Sequence, residues 1–109
     1  MEAKSQMERR SLGRKRLTGL LPGGLFNRNQ DRIDCKPVDV SEKGFSIISS
    51  MVLRQGDIIT LAVKNRPIDL EVVWSKPDFG KQDLYRYGLE STDPGINLVE
   101  LFEQKRCLR

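Results

Sequence analysis

Between Ile68 and Ser75 the chain alternates residue by residue, with Ile68, Leu70, Val72 and Trp74 on one side and Asp69 and Glu71 on the other. Side chains two apart on an extended strand share a face, so this run predicts a half-buried β-strand with one apolar face. Comparable short runs surround it. Phe45–Ser49, Ile58–Lys64 and Leu84–Ser91 are rich in β-branched and aromatic residues, and Gln55-Gly56-Asp57, Asn65-Arg66-Pro67 and Asp78-Phe79-Gly80-Lys81 punctuate them as turns. Upstream, Leu17–Phe26 predicts a first strand interrupted by Pro22-Gly23-Gly24, with Asn27–Gln30 as a polar turn. Arg32–Val40 predicts a second strand, with Ile33, Cys35 and Val38 inward and Pro37 marking an edge or a bulge. After Ser91 the period changes. Leu98, Leu101 and Phe102 follow helical spacing, Thr92 is a cap candidate, Pro94 suits a first turn, and Lys105, Arg106 and Arg109 fall where the helix dipole favours cations. The expected fold is all-β: a small antiparallel, six-stranded split β-barrel with a short C-terminal α-helix.

With 109 residues there is material for one modest core. No apolar run approaches the length that crosses a bilayer, and no basic-then-apolar leader opens the chain, so the reading is a soluble, cytoplasmic protein. Histidine is absent, and Cys35 and Cys107 stand alone, which leaves no zinc site of the usual Cys/His type and no cofactor. Both cysteines are expected as plain reduced thiols. Catalysis is not expected either, because no nucleophile–base pair can be assembled from carboxylates scattered along strand faces.

The net charge of +4 is uneven: residues 1–36 hold nine Lys/Arg against four Asp/Glu, and the remainder is close to neutral. One end therefore carries the positive potential, as suits an anionic partner engaged there. Within residues 1–16, expected as a flexible basic arm ahead of a barrel over 17–109, Arg9–Arg16 has five Arg/Lys and only Leu12 as an apolar anchor. Further on, Asp39 and Ser41 stand two apart on a strand and present a carboxylate and a hydroxyl side by side. Gly44 then suits a turn that needs φ > 0.

Arg10 and Arg14 form RxxxR, Arg9 extends it to RRxxxR, and Asp39–Gly44 form DxSxxG, 25 positions after Arg14. Either motif alone is common in basic tails or surface turns. In this order and at this spacing, the pair resembles the PilZ domain family, and the strand-rich remainder with its C-terminal helix is similar over nearly the whole chain. The Pro22-Gly23-Gly24 triplet departs from the family pattern.

The resemblance implies that the ligand is the second messenger cyclic di-GMP, with Arg9, Arg10, Arg14, Asp39, Ser41 and Gly44 as site residues. Arginine forks onto phosphate oxygens or guanine O6/N7 and stacks on bases. An extended arm would place the Arg10 and Arg14 α-carbons roughly 13 Å apart, enough to straddle a compact nucleotide. Asp39 would accept from the guanine N1–H and amine. Ser41 would donate to a phosphate or accept from a base amine, and Gly44 would serve the backbone. Asp39 and Ser41 also fit ordinary turn chemistry. An arginine at position 9 implies two ligand molecules per chain. Output is expected through an effector protein controlling motility, attachment or exopolysaccharide. Trp74, Tyr85 and Tyr87 are read as core residues by their alternation. Two other readings stay open: a ligand-independent protein-interaction module, and a small nucleic-acid-binding barrel. The confined basic end, with no aromatics interleaved, disfavours the second.

Overall fold

The computed structural model describes residues 15–64, 66–78 and 83–107. Within them, alternating segments pair into one curled antiparallel half-barrel sheet with a single short helix against it. The strands are β1 (Lys15–Arg16), β2 (Gly24–Phe26), β3 (Lys36–Val40), β4 (Gly44–Ser49), β5 (Ile58–Val63), β6 (Arg66–Pro77) and β7 (Tyr85–Ser91). Their order across the sheet is β1-β3-β4-β7-β6-β5-β2. The concave face collects Leu25, Val40, Phe45, Ile47, Ile59, Leu61, Leu70, Val72, Tyr87 and Leu89, all buried. Burying an aliphatic or aromatic side chain of this size contributes about 1.5–3 kcal/mol. Tyr87 adds a polar clamp: its hydroxyl donates to the Met51 carbonyl (2.7 Å) and accepts from the Leu53 amide (3.0 Å), fixing the loop before β5.

Seven strands stand where six were expected, because Lys15–Arg16, read as the end of the flexible arm, form a strand of their own, while of the expected first strand Leu17–Phe26 only Gly24–Phe26 is a strand. These two strands, β1 and β2, lie on opposite edges of the sheet, and the chain between them crosses from edge to edge. Gly19 turns it at φ 98°, in the left-handed region that favours glycine. The second strand likewise begins at Lys36 rather than Arg32, which makes only an isolated bridge to Phe26. Pro37 lies next to a bulge, as its position suggested, and the register shifts between Pro37 and Asp39. The bulge turns Pro37 inward and leaves Val38 half-buried. Arg66 and Pro67, read as turn residues, open β6 and pair with Val63 and Ala62.

The helix α1 (Leu98–Gln104) buries Leu98 and Phe102, and the Phe102 ring lies 5.2 Å from that of Phe45. Its cap is Asn97, whose side chain accepts from the Glu100 amide, and not Thr92 five residues earlier. The expected cations at its end shift outward. Its last turn holds no basic residue, Lys105 is the C-cap, and Arg106 follows at φ 58°. Arg109 lies outside the described residues. Among the described residues, no helix is long and apolar enough to cross a membrane.

Candidate functional site

Antiparallel register lines up one row of residues on the convex face. Arg16 on β1 stands opposite Asp39 on β3, and Asp39 opposite Ser46 on β4. Ser46 stands opposite Gly88 on β7, and Gly88 opposite Trp74 on β6. At the usual strand spacing, the row spans about 19 Å from β1 to β6. Asp39 and Ser46 are joined at its centre, where the Ser46 hydroxyl donates to Asp39 Oδ1 at 2.7 Å. Ser46 is buried, so the bond is shielded and the carboxylate orientation is fixed from below.

The turn that follows is braced from three sides. The Ser41 amide (2.7 Å) and hydroxyl (3.2 Å) both donate to the Gly44 carbonyl. The Lys43 carbonyl accepts from the Ser91 amide, and the Glu42 carbonyl from the Leu98 amide at the start of α1. Ser41 therefore performs turn chemistry, whatever else it contacts. Gly44 is not needed for a positive φ, contrary to the sequence expectation. Its α-carbon packs against the Leu89 carbonyl on β7, where a Cβ would collide with backbone.

Trp74 is the largest departure. The register of β6 slips between Val72 and Trp74, so Val73 is an extra residue and the alternation inverts after it. Ile68, Leu70 and Val72 point into the core as expected, but Trp74 emerges on the convex face. Its indole covers Gly88, where any Cβ would meet Nε1, Cε2 and Cδ1 of the ring. The Lys76 ammonium sits 5.4 Å from the ring centroid, a cation–π contact. Tyr87 is buried and Tyr85 packs against the core, as read from the sequence. The signal for Trp74 was Gly88, an isolated glycine inside a strand pattern, which marks a close approach.

A hollow of about 70 Å³ separates the turn from the indole, lined by Ser41, Gly44, Ser46, Trp74 and Gly88 among others. On the other side of Asp39 lies a larger depression of about 410 Å³, reaching Arg16 and Lys36. The cavity of about 540 Å³ beside Phe26 and Ile58 lies at the β2–β5 edge and contains no motif residue. Asp39, Ser41 and Gly44 are thus brought together. Arg9, Arg10 and Arg14 lie outside the described residues, but β1 begins immediately after Arg14 and runs beside Asp39. Cys35, half-buried, has its pKa pushed up to about 11 by burial and by the charge of Asp34, and Cys107 is shifted up by burial. Neither thiol is activated as a nucleophile.

The row offers a carboxylate to a donor edge, an indole to a planar base, and cations at its β1 end to an anion. The family model described as PilZ domain matches residues 9–104. Comparison with curated proteins gives no match, and comparison with solved structures gives none.

Proposed function

Because the chain belongs to the PilZ domain family, we propose that it is a cytoplasmic cyclic di-GMP receptor that orders its N-terminal arginine arm on ligand binding and signals to a partner protein. The family is one of cyclic di-GMP-binding adaptors. The observation that carries the reading is the register of β1. Arg16 stands opposite Asp39, so the chain leaves the RxxxR motif directly alongside the DxSxxG motif.

In this reading Asp39 accepts from the N1–H and amine of a guanine, with Ser46 holding the carboxylate in place. Adenine presents no matching pair of donors and is rejected. Arg10 and Arg14 grip the phosphates and a guanine edge as bidentate forks. Ser41 lends a hydroxyl lone pair to a base amine while bracing the turn, and Gly44 acts through backbone geometry. Trp74 supplies a stacking surface at the far end of the row. Arg9 adds the cation that lets a second cyclic di-GMP bring two more phosphate charges close to the first, giving two ligands per chain. The ordered arm and ligand form a new surface for an effector in motility, attachment or exopolysaccharide control. Nothing in this scheme asks the protein for catalysis.

The test is a calorimetric titration with cyclic di-GMP beside one with a random oligonucleotide. Cyclic di-GMP is expected to saturate at two per chain and the oligonucleotide to bind weakly or not at all. Arg10→Ala or Arg14→Ala should each cost about 1.5–3 kcal/mol of binding. Arg9→Leu should lower the ratio to one while binding persists. A chain that ignores cyclic di-GMP is an interaction module of another kind. Preference for the oligonucleotide would identify a nucleic-acid binder.

A further inference from the structure

The depression of about 410 Å³ beside Asp39 lies between β1, β3 and β4 and is lined by Arg16, Lys36, Pro37, Val38, Asp39 and Ile48, with Leu17 behind. Two cations share it with one carboxylate because of the bulge in β3. In a regular strand, residues 36 and 39 would face opposite sides; the extra residue between Pro37 and Asp39 returns both to the convex face. Arg16 reaches the same place from β1, opposite Asp39, and Lys36 stands opposite Ile48. Both cations are exposed. Ion pairs among the described residues join Arg66 to Asp93 and Arg86 to Asp78, and leave Arg16 and Lys36 without a carboxylate partner.

We propose that this depression is a phosphodiester subsite, in which Arg16 and Lys36 hold a phosphate of the cyclic dinucleotide whose guanine edge meets Asp39. The subsite rests on the cyclic di-GMP reading above and adds two ligand-binding residues outside both motifs. Charge sets the orientation. The Asp39 carboxylate repels a phosphate and attracts a donor edge, so the phosphate turns toward Arg16 and Lys36 and the base toward Asp39. Val38 and Ile48 give the depression apolar lining, which raises the strength of each charged contact made there. The guanidinium of Arg16 can fork onto two phosphate oxygens, and the ammonium of Lys36 adds a point charge.

Arg16→Ala, Lys36→Ala, the double variant and Arg16→Lys are titrated with cyclic di-GMP at two salt concentrations, beside thermal melts. Each alanine variant is expected to bind roughly threefold to tenfold more weakly than wild type, and the double variant more weakly still. Arg16→Lys should keep more affinity than Arg16→Ala. The double variant should also show a flatter dependence on salt, with melting temperatures unchanged because both side chains are exposed. If the wild type binds and the double variant binds equally well, the subsite is wrong and the cyclic di-GMP reading stands. If affinity falls only together with the melting temperature, the side chains act on the fold and the subsite is again wrong. If the wild type does not bind, the functional reading falls and takes the subsite with it.

Discussion

Ser46 lies outside either motif, yet its hydroxyl donates to the central carboxylate, 2.7 Å from Asp39 Oδ1 and buried under the row. Ser46→Ala removes that donor with almost no change in volume. Cyclic di-GMP binding is expected to weaken by about 1 kcal/mol, the usual net worth of one such bond. Calorimetry on the variant checks this, and affinity equal to wild type would show that the Ser46 bond is dispensable. The motif residues Asp39, Ser41 and Gly44 were legible because their spacing is local. Ser46 was not, since the sequence does not say which residue of β4 will lie beside Asp39 once the bulge has shifted the register. Gly44 was marked correctly as a backbone requirement but for the wrong cause, because a close approach to Leu89 looks in sequence like any turn glycine.

At the scale of elements, α1 is tied to the DxSxxG turn and to the chain just after β1. Its first amide donates to the Glu42 carbonyl in the DxSxxG turn. Just past its end, the Cys107 carbonyl accepts from both the amide and hydroxyl of Thr18, two residues after β1. Seven residues cannot hold a helix alone in water, so α1 depends on Leu98, Phe102 and its cap. Asn97→Ala is expected to destabilise the protein by about 1 kcal/mol in chemical denaturation. An unchanged midpoint would mean that the Asn97 cap is dispensable. The existence of α1 could be read from Leu98, Leu101 and Phe102, but its start could not, as Thr92 and Asn97 are both good caps and packing chooses between them. The strands β5 and β6 were equally plain from their alternation. What stayed hidden were the bulge at Val73, the register left by the bulge beside Pro37 and the pairing of β1 with β3, all decided by which distant segments pair. Those bulges are what turn Lys36 and Trp74 outward, so the part of the site missed in sequence is the part that long-range register creates.

Across the whole molecule, charge and topology converge on one face. The excess positive charge lies within residues 1–36, and β1 delivers that end of the chain to Asp39. Core residues fill the concave side and the row from Arg16 to Trp74 lies on the convex side, the face proposed for a ligand that is both planar and anionic. Trp74 is the only tryptophan in the chain, so its fluorescence reports on that face alone. The most direct measurement is a fluorescence titration of the wild type and of Asp39→Ala with cyclic di-GMP. Saturable quenching in the wild type, lost or strongly weakened in Asp39→Ala, is the expected result. A wild-type signal that does not change at saturating cyclic di-GMP, or an identical curve in Asp39→Ala, would contradict a ligand held along this row.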